Sequence, residues 1–345
     1  ENRPELQLLY NRFPTLENFK LQLEEKQSEF SSDHRNILVA ALTDQYTQLS
    51  PSKLTTNTIQ SLASDNTFTV TTGHQLNLLG GPLYFLYKII TTINLAKELE
   101  HKYPKNKFVP VFWMASEDHD FEEINHINFQ NKRFQWTQEN SGAVGALSTL
   151  DLAEFVEVFS AVLGNSSHAM KLKEIVHNAY LNHSNLASAT RYLVHTLFGF
   201  EGLLVIDGNS PELKRVFVPQ IISELRTQQA FTAVSKTNTQ LIKIDSEYKI
   251  QVNPRELNLF YLKENLRERI VKKEEIYSVL NTDISWDLAG VLDEVNSNPE
   301  RFSPNVIMRP LYQETILPNL CYVGGGGELS YWLQLKSYFE AEHIQ

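Results

Sequence analysis

At 345 residues the chain is long enough for a large core and more than one domain. A formal net charge of -10, from 31 basic against 41 acidic residues, repels a long anionic polymer and argues against nucleic acid as a partner. One cysteine, Cys321, excludes an internal disulfide and points to the reducing cytoplasm, with a buried inert thiol as the expectation for its apolar surroundings. No run of 18 apolar residues occurs, so no membrane span is expected, and the first residues lack the basic-then-apolar shape of a signal peptide.

Residues 1–60 are helical in pattern, with Leu16, Phe19, Leu21 and Leu23 in one amphipathic stretch and Ile37, Leu38, Ala41 and Leu42 in another. The β-branched stretch from Asn66 to Thr72 predicts a strand that runs into the loop 73–82. There Gly80-Gly81-Pro82 marks a sharp turn. Leu86, Ile90, Ile93 and Ala96 then recur at helical spacing, and the helix stops before Pro104. The apolar run from Val109 to Ser116 predicts a second strand covered on both faces, as in a parallel sheet. Strand, loop, helix and strand make a βαβ unit, so the loop at 73–82 and the acidic segment at 117–126 are expected to face one cleft at the carboxyl edge of the sheet.

Residues 128–200 interrupt this alternation, with a β-rich patch at Phe134–Gln138, a turn at Ser141-Gly142 and helices near 151–163, 169–181 and 185–199. Gly202–Asp207 reads as a returning strand and a helix is expected from Pro211 to about Arg226. Apolar and charged residues alternate over 240–285 (Ile242-Lys243-Ile244, Tyr248–Val252, Leu259–Leu262), which predicts a second, smaller β-containing insertion. A helix over 287–297 follows. Thr315–Val323 reads as a strand with an irregular start at Pro318, ending in four glycines and another helix.

Three groups of residues can carry chemistry. Gly73-His74-Gln75 sits at a strand-to-helix turn, where backbone approaches a ligand and a helix start favours an anion; Lys88 lies one turn inside that helix. Glu117-Asp118-His119-Asp120 is dense enough for neighbouring charges to shift one another. His119 with Asp118 or Asp120 can act as a general base for an incoming amine, or bind a divalent metal with His126; the same residues can equally form an acidic helix cap with Glu122 and Glu123. Gly324 to Gly327, before Glu328, offer bare backbone N–H groups to an anion, but the spacing is neither a dinucleotide fingerprint nor a P-loop. Arg309, which Pro310 is expected to hold extended, can grip a carboxylate with Gln313 or pair with Glu314.

Taken together, TTGHQLNLLGGPLYFLYK, VPVFWMASEDHDFEEINH and NVIMRPLYQETILPNLCYVGGGGELSYW resemble the bacillithiol biosynthesis cysteine-adding enzyme family, over roughly residues 66–340. The family usually carries GQQ at the place of Gly73-His74-Gln75, and often GGPGE at the place of Gly324–Glu328. The resemblance implies an α/β fold: a Rossmann-like parallel-sheet core, similar to those of class I aminoacyl-tRNA synthetases and nucleotidyltransferases, with two connecting insertions at 128–200 and 240–285. The core then comprises 1–127, 201–239 and 286–345. A C-terminal coiled coil that supports a homodimer is also implied, and this sequence stops before it. The implied reaction joins the carboxylate of L-cysteine to the amine of glucosaminyl malate, with ATP activating the carboxylate through an acyl-adenylate or acyl-phosphate. In that reading Asp118, His119 or Asp120 deprotonates the amine. Gly73, His74, Gln75, Lys88, Glu117, Gly325, Gly326, Gly327 and Glu328 bind nucleotide or substrate, Arg309 and Gln313 hold a carboxylate, and no metal site is assigned.

Overall fold

Two strands predicted from β-branched and apolar runs lie at the centre of the molecule, whose computed structural model describes residues 4–138 and 141–344. Glu1 and Gln345, the outer limits of the first and last core segments, lie outside the described residues. Strand β1 (Thr67–His74) pairs in parallel with β2 (Lys107–Met114) along its whole length, from Thr67 opposite Lys107 to His74 opposite Met114. Helix α1 (Tyr84–Lys102) makes the crossover, as its 3.6-residue apolar spacing predicts. β3 (Leu204–Asp207) joins β2 and β4 (Asn319–Tyr322) joins β1, both in parallel, so the order is β4-β1-β2-β3. The chain reverses its direction of travel across the sheet between β1 and β4, the position at which open α/β sheets form a crevice.

Both faces of the sheet are dry. Val109, Val111 and Trp113 of β2 join Leu204 and Ile206 of β3 in one core cluster, against helix Ser32–Gln45. Phe112, Met114 and Val205 point the other way, into a second cluster built with the helices at 153–198. Strand residues alternate between faces, so an unbroken apolar run is what a doubly covered strand requires.

The region after β2 holds a short hairpin, His126–Phe129 with Lys132–Gln135, then helices Ala153–Val162, Ser167–Leu181 and Leu186–Phe198, close to the predicted limits. The helix expected from Pro211 to Arg226 is two: α2 (Pro211–Val216) and Val218–Thr227, separated at Phe217. Pro219 has no N–H to continue the ladder and begins the second helix instead. Residues 259–304, which overlap the predicted second insertion at 240–285 and run past it, form a five-stranded antiparallel sheet, closed at one edge by Phe302–Pro304. Ile242-Lys243-Ile244 is not strand but the end of helix Gln229–Ile244, and Tyr248–Val252 forms no strand.

Two expectations near the C-terminus are overturned. Arg309 is not extended: it lies in the first turn of helix α3 (Met308–Ile316), where Pro310 lacks only an N–H that the first turn leaves unbonded. Thr315 and Ile316 belong to that helix too, and the strand starts only after Pro318. Helix α4 (Gly326–Trp332) follows β4. A buried polar relay ties these pieces together. Asn319 on β4 accepts from Thr69 and Thr71 of β1 at 3.1 and 2.8 Å and donates to Glu314 at 2.8 Å, while Lys26 lies 3.7 Å from that carboxylate. Cys321, on β4 opposite Val70, is partly buried in the small cluster around Phe68, and burial with the nearby Glu314 charge pushes its thiol up to about 12. Among the described residues, no helix is long and apolar enough to cross a membrane.

Candidate functional site

A cavity of about 990 Å³ opens at the carboxyl ends of β1, β2 and β4. The loop Gly73–Gln75, the segment Ala115–Asp118 and the glycines 324–327 all line it, so the predicted sharing of one cleft is what the topology delivers. The second sheet supplies the far rim through Arg267 and Pro304–Val306. Gly73 is needed for closeness: a Cβ there would lie 3.2 Å from the Tyr322 hydroxyl and 3.3 Å from the Trp113 carbonyl. The turn that releases the chain into α1 uses Gly80 and Gly81, whose φ angles of +86° and +69° belong to the left-handed region.

One wall is basic. Lys88 donates to the Gly73 carbonyl at 2.5 Å and to Glu328 at 2.7 Å. Glu328 also accepts from the Tyr322 hydroxyl at 2.6 Å and from the Gly325 N–H at 2.8 Å. Burial opposes its charge, but these bonds outweigh burial and hold its carboxyl below the ordinary range. The glycine run is therefore not a row of free donors, because the Gly325 N–H is already given to the chain's own carboxylate. Gly326 and Gly327 remain open, with nothing within 4 Å of where a side chain would begin. Arg309 lies over the rings of Trp113 and Tyr322, at 5.8 and 5.4 Å, and donates to Gln313 at 3.0 Å. Among the described residues no carboxylate lies within ion-pair distance of it; Glu314, the expected partner, is taken by Lys26, Asn319 and Gln313.

His74 lines the cavity between Tyr84 and Phe85, with ring centroids at 5.0 and 5.7 Å. Burial, reinforced by Lys88, pushes it down to about 4, so it is neutral at pH 7, and its buried Nε2 has no hydrogen-bond partner. An orphaned polar atom at a cavity wall is a place where a ligand can complete the bonding.

The opposite wall is acidic. Asp118 accepts from Gln75 at 3.1 Å and from the His119 N–H at 2.8 Å, and Gln75 also reaches Glu123 at 2.6 Å. Glu117 lines the cavity on a buried partner, Lys214, whose Nζ also donates to the Phe302 carbonyl at 2.8 Å. His119 and Asp120 depart from the sequence reading. Both are exposed and neither lines the cavity: they follow the turn that the Asp118 N–H closes on the Ala115 carbonyl, and the His119 ring meets Arg267 at 2.6 Å instead. Asp120 makes no side-chain cap bond to that helix. Gln313 is likewise not a lining residue: fully buried, it orients Arg309 from below. Among the described residues no group of three or more His, Cys, Asp or Glu is placed to hold a metal ion, so the expected pairing of His119 with His126 forms no such centre.

The family model described as "Bacillithiol biosynthesis BshC, N-terminal Rossmann-like domain" matches residues 1–345. The chain belongs to this family. Proteins named "Putative cysteine ligase BshC" are 56% identical in Flavobacterium johnsoniae, 50% in Christiangramia forsetii and 30% in Bacillus cereus. The matches cover 100%, 99% and 99% of this chain but 64%, 64% and 65% of those relatives, so the chain spans just under two thirds of their length.

Two charged residues of this BshC-family site escape a sequence reading. Arg267 comes from a strand of the second sheet, stacks on Phe260 at 3.8 Å and enters the cleft from a part of the chain with no motif of its own. Lys214 left a faint signal: a lysine in the first turns of the helix after β3 falls at the same sheet edge as the acidic segment.

Proposed function

We propose that this domain carries the centre of a ligase that joins the carboxylate of L-cysteine to the amine of glucosaminyl malate. The observation that carries this reading is a single cavity with opposed chemistry: Glu117 and Asp118 on one side, Arg309 and Lys88 on the other. An amine is recognised, and its proton received, by carboxylates; a carboxylate or phosphate is held by a guanidinium with a free fork. Relatives named "Putative cysteine ligase BshC" supply the reaction class.

Arg309 grips the anionic end of a substrate, such as the malate carboxylates, because no described carboxylate lies within ion-pair distance of it and it lines the cavity. The aromatic rings of Trp113, Tyr322 and Tyr331 around it exclude water and strengthen that grip. The amine is received at the acidic wall that Glu117 and Asp118 form. A carboxylate does not acylate an amine unaided, and ATP, when bound, supplies the activation. The neutral His74 with its unbonded Nε2, Lys88 and the open backbone at Gly326-Gly327 fit the phosphates of such a nucleotide.

The test is incubation of the full-length protein with cysteine, glucosaminyl malate and ATP, followed by mass spectrometry. A product equal to the two substrates less one water, absent without ATP, is expected. No such product from folded protein overturns the reading.

A further inference from the structure

Lys214 is buried completely. A buried ion pair is seldom more stabilising than apolar side chains of the same volume, because dehydrating both charges offsets their attraction. The position invites an apolar residue: Lys214 lies over the Tyr312 ring at 5.2 Å, beside the core cluster that contains Leu213, Phe217 and Tyr312. What the ammonium does instead is join three pieces of the cleft. It extends from α2, behind β3. It holds the Glu117 carboxylate on the segment after β2, and it donates to the Phe302 carbonyl on the strand that leads into α3 and Arg309.

The two carboxylates of the acidic wall are not equivalent. Both oxygens of Asp118 are occupied, one by Gln75 and one by the His119 N–H. Glu117 engages Lys214 through one oxygen only, and its second oxygen has no hydrogen-bond partner among the described residues. Ser116, next to it, is anchored by Asp207, so the backbone on that side is fixed as well. We infer that Lys214 is a positioning residue, holding Glu117 from beneath the cleft floor with its second oxygen turned to the cavity, so that Glu117 rather than Asp118, His119 or Asp120 receives the substrate amine. This rests on the amide-forming reading of the site. When the amine nitrogen bonds to the activated acyl carbon, one N–H proton passes to that free oxygen of Glu117, and the activating group leaves with the electrons of its bond to carbon.

The charged and titratable groups facing Glu117 are Lys214 from α2, Arg267 from the second sheet, Asp207 at the end of β3 and Tyr312 from α3. Burial raises the Glu117 carboxyl, and Lys214 is the largest opposing influence, with Arg267 a smaller one. Without Lys214 the carboxyl takes up its proton at higher pH, and a protonated Glu117 cannot take the amine proton.

The experiment uses full-length protein with Lys214→Met and Glu117→Gln. Infrared difference spectra against Glu117→Gln follow the Glu117 carboxylate directly, with no need for turnover. In Lys214→Met its titration should move to higher pH; an unmoved titration overturns the inference. Amide formation gives the second readout. Lys214→Met should lose about 10²-fold in kcat at pH 7, recover part of it toward pH 9, and keep its KM for ATP. The double variant should be no slower than Glu117→Gln alone. Equal loss at every pH, or a double variant much slower than Glu117→Gln, would reduce Lys214 to a structural role and sink the proposal. If wild-type protein makes no amide, the ligase reading fails, while the infrared titration still decides whether Lys214 governs Glu117.

Discussion

Replacing Arg309 separates recognition from stability, because its protein partners are neutral. Hydrogen bonds from a charged donor are worth about 1.5–3 kcal/mol each, so losing a two-pronged grip on a carboxylate costs about 3 kcal/mol even at the low end. At about 1.4 kcal/mol per decade that is roughly a 10²-fold weaker Kd. Arg309→Lys keeps the charge but not the planar fork and should fall between, about tenfold weaker. On the protein side, Arg309→Met removes one 3.0 Å bond to Gln313 and a marginal 3.5 Å approach to the Tyr331 hydroxyl. The orphaned Gln313 oxygen then costs about 1–3 kcal/mol, well short of unfolding a chain of this size. Calorimetric titration of full-length wild type, Arg309→Lys and Arg309→Met with glucosaminyl malate, alongside urea unfolding, measures both effects. If Arg309→Met binds as tightly as wild type while remaining folded, Arg309 is not the anion anchor and the opposed-wall argument loses its basic side.

Lys26 makes the contrasting case: Lys26→Met strands Glu314 in a dry site and should destabilise by about 3–5 kcal/mol in urea unfolding, with ligand affinity unchanged in the folded fraction. His74 is held neutral down to about pH 4, whereas an unfolded histidine takes its proton near 6.5. The unfolded state therefore binds more protons between those values, and stability falls as pH drops from 6.5 toward 4, by at most about 3 kcal/mol. His74→Gln should flatten that part of a Tm-versus-pH curve, and an unchanged slope would show that His74 does not set it.

The parallel core was legible because its strands are apolar on both sides and its crossover helix keeps one spacing from Leu86 to Ala96. The meeting of Gly73–Gln75 with Glu117 and Asp118 followed from that topology alone. What failed was local. Pro310 was expected to hold Arg309 extended, although it falls in the first turn of a helix, where proline is tolerated. His119 and Asp120 were grouped with Glu117 by adjacency in sequence, but one turn of backbone after β2 is enough to carry them out of the cavity. Arg267 could not be placed in advance, since it reaches the cleft across a packing interface that no spacing rule describes, and Lys214 left only its position after β3 as a signal. Gln313 was seen as a ligand group because it follows Arg309 closely, but in the helix that forms there it lies one turn on and becomes the arginine's support.

Cys321 lies on β4, beside the strand β1 whose end carries Gly73 and His74. Burial and the Glu314 charge push its own thiol up to about 12, so very little of it is thiolate at pH 7, and it is the thiolate that attacks disulfides. A mixed disulfide with cystine or another small oxidised thiol would therefore form very slowly at this strand. The domain can sit in a pool of reactive sulfur compounds without becoming one of their targets.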